Sequence, residues 1–183
     1  MNRNGFTVIE LMIVLSVLAI ISATALPSFR SLLIEIEVDG QINKLVSTLQ
    51  LARSEAVKHN QVVTICKSLD GQNCGGNWSD GWLMFVDNNA DGHKNTAEIA
   101  LTSAQLIDGY TLSWSAFGSN NYIRFRQNGL TSSHNGSFIL CPVNLDSRFA
   151  RAVIISKTSR VRTSKDSDQD GVEENASGDP LSC

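Results

Sequence analysis

Residues 6–26 read FTVIELMIVLSVLAIISATAL, an apolar run broken by one charge, Glu10, and closed by Pro27. No other feature constrains the chain as strongly. As a helix, these 21 residues rise about 31 Å, enough to cross the hydrocarbon core of a bilayer. The short polar segment before the run carries one cation, Arg3, which favours leaving that end in the cytoplasm. A cleaved secretory signal ends in a small-residue site, and ATALPSF fits that pattern only loosely. Glu10 is the anomaly. An unpaired carboxylate in a bilayer costs about 2.5 kcal/mol or more, so such a group ordinarily has a partner. The plain alternative is an uncleaved anchor whose Glu10 reaches the interface.

Beyond Pro27 the apolar residues recur at helical spacing: Phe29, Leu32, Leu33 and Ile36, then Ile42, Leu45, Val46, Leu49, Ala52 and Ala56. This predicts an amphipathic helix over 28–60, weakened and bent at Gly40. Its second half should bury a face in the core of the chain. Its first half should pack against other subunits. From residue 61 the period drops to two. Strands are expected at 61–67, 82–87, 98–102, 110–116, 122–127, 137–142, 152–157 and 159–163, separated by Gly, Asn, Asp and Ser clusters. A long helix followed by antiparallel strands is an α+β plan. The expected divisions are a leader at 1–5, a transmembrane helix at 6–27, the amphipathic helix at 28–60, a β-rich head at 61–163 and an acidic tail at 164–183. At 183 residues there is room for one domain and a small appendage.

The four cysteines are Cys66, Cys74, Cys141 and Cys183. An even number in an exported head suggests disulfides, and three pairings are open. Cys66 with Cys74 would join a strand end to its following loop, leaving Cys141 to tie down the terminal Cys183. Cys-x-x-Cys and paired histidines at ligand spacing are missing, so zinc is not expected. No nucleophile and base pair or phosphate loop stands out, so an enzyme is not expected either.

The net charge of −3 excludes a wholly basic nucleic-acid binder and a wholly acidic disordered chain. It also conceals two opposed blocks. Residues 148–165 contain Arg148, Arg151, Lys157, Arg160, Arg162 and Lys165 and no acid. Residues 166–179 contain six acids and no base. Arg160 and Arg162 alternate, so a strand would place both on one face, as it would Arg124 and Arg126. Such a face attracts phosphate backbone without reading bases. In the acidic block, Asp166, Asp168, Asp170 and Gly171 match the opening of a calcium loop, although Ser177 stands where the closing Glu belongs. Asp87, Asn89, Asp91 and Gly92 form a shorter version. The acidic block could also fold over the basic face and mask it.

The motif Gly5-Phe6-Thr7-Val8-Ile9-Glu10-Leu11 resembles the processing signal of type IV pilins and type II secretion pseudopilins. The resemblance implies cleavage after Gly5 by a prepilin peptidase and methylation of the new Phe6 amine. It implies that Glu10 pairs with the Phe6 amine of a neighbouring subunit, so that both charges leave water together. LARSEAV at 51–57, VVTIC at 62–66 and WSDGWLMFVD at 78–87 resemble the GspH/FimT branch, and the likeness runs to about Arg162. That branch implies the type IV pilin-like fold, a single-pass inner-membrane anchor with the head in the periplasm, and assembly with other pilins and minor pilins. Its members serve either type IV pili or type II secretion. FimT-type minor pilins include binders of double-stranded DNA with a Gly-Arg-x-Arg motif. Here the matching positions are Ser159, Arg160, Val161 and Arg162.

Overall fold

The computed structural model describes the chain apart from residues 1–4, 6, 132, 144 and 145, and the side chains of 24–28. A single helix, α1 (Val8–His59), comes first. Eight strands follow among the described residues: β1 (Val63–Lys67), β2 (Trp82–Val86), β3 (Ala100–Ala104), β4 (Tyr110–Phe117), β5 (Tyr122–Phe125), β6 (Asn135–Pro142), β7 (Arg151–Ile155) and β8 (Val161–Thr163). They form two four-stranded antiparallel sheets, ordered β3-β2-β1-β5 and β4-β6-β7-β8. The α+β plan read from the sequence is the observed one, with strand ends shifted by at most two residues.

The chain divides into two units, Met1–Glu37 and Val38–Cys183. In the first, the apolar residues face outward: Val8 is 72% exposed, Ile20 66%, Phe29 60% and Ile36 59%. Helical backbone continues through Pro27 and through Gly40, where a bend was expected. Among the described residues no helix is long and apolar enough to cross a membrane. The described side chains of the apolar run cover 8–23, about 24 Å of helix, which is less than a bilayer core.

In the second unit the helix changes character. Val38, Ile42, Leu45, Leu49, Ala52 and Ala56 are all buried, a stripe at helical spacing. They meet a core supplied by both sheets, with Trp82, Phe85, Phe125 and Phe138 fully enclosed. Trp82 donates its indole N–H to the Thr48 hydroxyl at 3.3 Å, and that hydroxyl donates to the Lys44 carbonyl, so helix and sheet share a satisfied polar contact inside the core. Phe138 stacks between Trp78 and Trp114, with centroids 4.9 and 4.4 Å away.

The last twenty residues are an ordered part of this unit. Lys165 bridges Glu174, and Glu174 bridges Pro180. Leu181 is buried against Cys141, Ala150 and Ala152. Cys66 is bonded to Cys74 and Cys141 to Cys183, with Cα separations of 5.6 and 5.7 Å. The second bond closes a loop of sequence separation 42. Removing it with Cys141→Ser and Cys183→Ser should lower stability by about 3–4 kcal/mol, and removing the first by about 2–3, in proportion to loop entropy. Chemical denaturation of the paired variants checks both.

Candidate functional site

The β7–β8 hairpin positions the cations singled out in the sequence. Its turn is closed by hydrogen bonds from Ser159 N–H to the Ser156 carbonyl and from Ser156 N–H to the Arg160 carbonyl, at 2.9 and 3.1 Å. The Ser156 hydroxyl accepts from Arg160 N–H at 3.1 Å. Ser159 sits at φ +59°, in the left-handed region where a side chain is strained. Position 159 therefore has the backbone that glycine adopts freely, which accounts for glycine in the motif it resembles. Ser159 is also buried, and its hydroxyl has no hydrogen-bond partner among the described residues. Its carbonyl accepts from the Arg53 guanidinium at 3.4 Å, which ties the turn to α1.

Of the six basic residues of 148–165, two are engaged within the chain. Arg151 is mostly buried and pairs with Glu173 at 3.1 Å and Asp39 at 3.5 Å. It cannot belong to an outward strip, because the helix and the tail both claim its charge. Arg148 pairs with the exposed Asp146 at 3.1 Å, where the Arg148 backbone N–H chiefly holds the Asp146 carboxyl below its ordinary range. Lys157 lies 6.0 Å over the exposed Phe117 ring. Arg160, Arg162 and Lys165 are exposed and have no carboxylate partner within 4.0 Å among the described residues. Arg53 and Lys58 of α1 line one cavity of about 760 Å³ together with Arg160. Sequence reading missed these two, because the apolar stripe marks the buried face of a helix and not what stands opposite its other faces.

Arg124 does not share an outward face with the exposed Arg126. Its Nε lies 3.4 Å from Asp87 Oδ2, which also accepts from the Thr64 hydroxyl at 2.6 Å and Gly92 N–H at 3.1 Å. Asp87 is fully buried. The 87–92 loop thus turns its first carboxylate inward to an internal guanidinium, where a calcium loop would hold its ion. Nearby His134 is buried, which lowers its pKa, and the ring nitrogen Nδ1 lies 3.3 Å from the Thr131 carbonyl.

The acidic block brings Asp166, Asp168, Asp170 and Glu174 together, with one oxygen of each inside a 4.8 Å cluster. Glu174 closes the set from a position nearer than Ser177. The same carboxylates already accept from their own loop: Asp166 from Gln169 and Gly171 N–H, Asp168 from Asp170 N–H, Asp170 from Val172 N–H, and Glu174 from Ser167 N–H. Glu173 turns the other way, to Arg151 and the Ser164 hydroxyl. Among the described residues this is the acidic block's one ion pair with the basic block, so the tail does not mask Arg160 or Arg162 by pairing.

At the amino-terminal end Gly5 is exposed, and Phe6 lies outside the described residues. Glu10 is exposed in the first turn of α1, where its N–H donates to the Thr7 hydroxyl at 3.3 Å. No partner of its carboxylate occurs among the described residues.

Residues 41–159 match the family model of type II transport protein GspH, and residues 1–26 match the prokaryotic N-terminal methylation motif. The chain is 30% identical over 98 residues to pilin-like protein PilA1 of Thermus thermophilus, covering 54% of this chain and 57% of that protein. It therefore spans a little over half the length of that curated relative. Among solved structures, the type IV minor pilin FimU of Pseudomonas aeruginosa superposes with a TM-score of 0.54 at 22% identity, covering 69% of this chain and 87% of the other. The minor pseudopilin EpsH of the Vibrio cholerae type 2 secretion system superposes at 0.51 and 12% identity, covering 69% and 95%. Both likenesses concern the fold.

Relief of the strained turn is directly testable. Ser159→Gly should raise stability by about 0.5–1 kcal/mol, the gain at a left-handed position less the added freedom of the unfolded chain. Thermal unfolding of the two proteins side by side measures it.

Proposed function

The chain belongs to the family of type II transport protein GspH, and we propose that within it the protein is a minor pilin of a type IV pilus. The family and the methylation motif imply assembly with other pilins and processing by a prepilin peptidase. The observation that carries the filament reading is the lone Glu10 carboxylate on the first part of α1, where large apolar residues from Val8 to Ile36 are exposed. A helix hydrophobic on its outer faces is stable when other apolar surface covers it, first lipid and then neighbouring subunits. In that setting Glu10 needs a positive partner, and the Phe6 amine freed by cleavage after Gly5 supplies one from the next subunit. Before assembly the apolar segment 6–27 anchors the chain in the inner membrane in a single pass, with the head in the periplasm.

The likeness to a pilin-like protein at 30% identity supports the pilus. The family description supports the second reading, an H-type minor pseudopilin of type II secretion. In the pilus reading the subunit assists assembly and priming, and Arg160 and Arg162 meet the phosphates of double-stranded DNA during natural transformation. The support for DNA is electrostatic: the exposed guanidinium groups of Arg160, just before β8, and Arg162, within it, without carboxylate partners among the described residues and near Lys165. We take the role to be structural, not enzymatic. Buried Asp87, Glu98, Glu174 and His134 each have hydrogen-bond partners within the fold.

Glu10→Gln should leave cleavage after Gly5 intact and reduce the amount of subunit recovered in sheared filaments. Equal recovery would remove the pairing. Deleting the gene while scoring twitching, transformation and secreted enzymes together separates the two readings, since loss of secretion alone favours the pseudopilus. Arg160→Glu with Arg162→Glu should weaken DNA binding and flatten its log–log salt slope by about 2. Unchanged binding in a shift assay would sink the DNA role.

A further inference from the structure

β8 is the outer strand of its sheet and, among the described residues, pairs with β7, while its continuation at Lys165 bridges Glu174. The Arg160 carbonyl and Ser164 N–H bond toward β7. By antiparallel alternation, Val161 and Thr163 between them turn their N–H and C=O groups to the open side. No hydrogen bond of those four groups occurs among the described residues. The open side is a channel against α1. The cavity bounded by Leu49, Val57 and Ser159 continues into a second, of about 560 Å³, bounded by Val46 and Thr163, and both include Arg160 and Val161.

Three properties of this channel point to one occupant. Its strand wall offers donors and acceptors in alternation, which another extended backbone matches and a phosphate chain, accepting only, does not. Its floor carries Val46, Val57 and Val161, suited to apolar side chains on one face of a strand. Its charged lining is Arg53, Lys58, Arg160, Arg162 and Lys165, with no carboxylate, in a chain of net charge −3.

We propose that this channel binds an extended, carboxylate-bearing peptide segment of another protein, added to β8 as a fifth strand of the sheet. Main-chain hydrogen bonds to Val161 and Thr163 give affinity, and the cations on both walls select acidic side chains. The chain's own acidic block meets this strand further along, where Glu174 N–H bonds the Lys165 carbonyl, and the Cys141–Cys183 bond holds it there, so Val161 and Thr163 stay uncovered. The peptide and the DNA of the preceding reading would share Arg160 and Arg162, so each would exclude the other there.

The test uses the full chain in detergent micelles and a fluorescein-labelled hexapeptide of alternating valine and glutamate, followed by anisotropy. Saturable binding is expected, with none for the valine–lysine counterpart. N-methylation of alternate peptide nitrogens should weaken binding about tenfold by removing the main-chain bonds. Lys58→Glu should weaken it by about the same factor without changing the melting temperature, since the Lys58 side chain has no described partner. Duplex DNA that meets Arg160 and Arg162 should compete with the peptide. Absence of saturation at millimolar peptide overturns the proposal. Equal binding of the N-methylated peptide overturns strand addition. DNA binding that Arg160→Glu with Arg162→Glu leaves unchanged tells against the DNA reading alone.

Discussion

The buried stripe of α1 organises the head. Val38, Ile42, Leu45, Leu49, Ala52 and Ala56 are almost wholly removed from water, and no other element presents so long a continuous apolar face. Burying such side chains is worth about 1.5–3 kcal/mol for each large one, most of it offset by conformational entropy. What remains fixes the helix against two sheets that are not paired with each other. Polar contacts then set its position. Thr48 meets Trp82, Lys44 reaches the Gln105 carbonyl, and Arg53 reaches the Ser159 carbonyl. The last of these links the core-forming helix to the hairpin that carries the exposed arginines. The basic hairpin is therefore held from beneath by the element that builds the core.

The stripe, the apolar run and the strands were legible because burial imposes a period on the sequence. Leu45 and Leu49 read as core and are core; Phe29 and Ile36 read as a face for other subunits and are exposed. Partners of charges leave no such trace. Arg151 looked like one more cation of a basic strip, but its partners lie in the helix, at Asp39, and in the tail, at Glu173. Arg124 shared a strand face with Arg126 on paper, yet it bends to the buried Asp87, 37 residues earlier. Arg53 and Lys58 went unnoticed because they sit over 100 residues from the hairpin they face. Periodicity tells which residues share a face of one element. It cannot tell which element lies opposite.

The tail shows the same limit. Its composition resembles a solvated acidic segment. The fold instead divides its carboxylates by role. Asp166, Asp168, Asp170 and Glu174 close a loop on their own N–H groups, while Glu173 neutralises Arg151. Leu181 and Cys183 then fasten the end to β6 and β7. The two opposed charge blocks thus cancel at one internal pair, and most of the basic strip stays exposed.

Ser159 gathers several departures from ordinary structure at one position. It has a left-handed backbone without being glycine, a buried hydroxyl without a partner, and a neighbour on its C-terminal side that opens an unpaired strand edge. A fold chosen for stability alone would place glycine there and cover the edge. Local rules fail most often where a surface is kept for something else, and strain persists where its surroundings hold it in place. Here the surroundings are the Arg53 guanidinium, on the Ser159 carbonyl, and the Ser156 turn. That combination, a strained turn clamped by a core helix beside unpartnered cations and free strand groups, marks the channel as the part of the head built to meet another molecule.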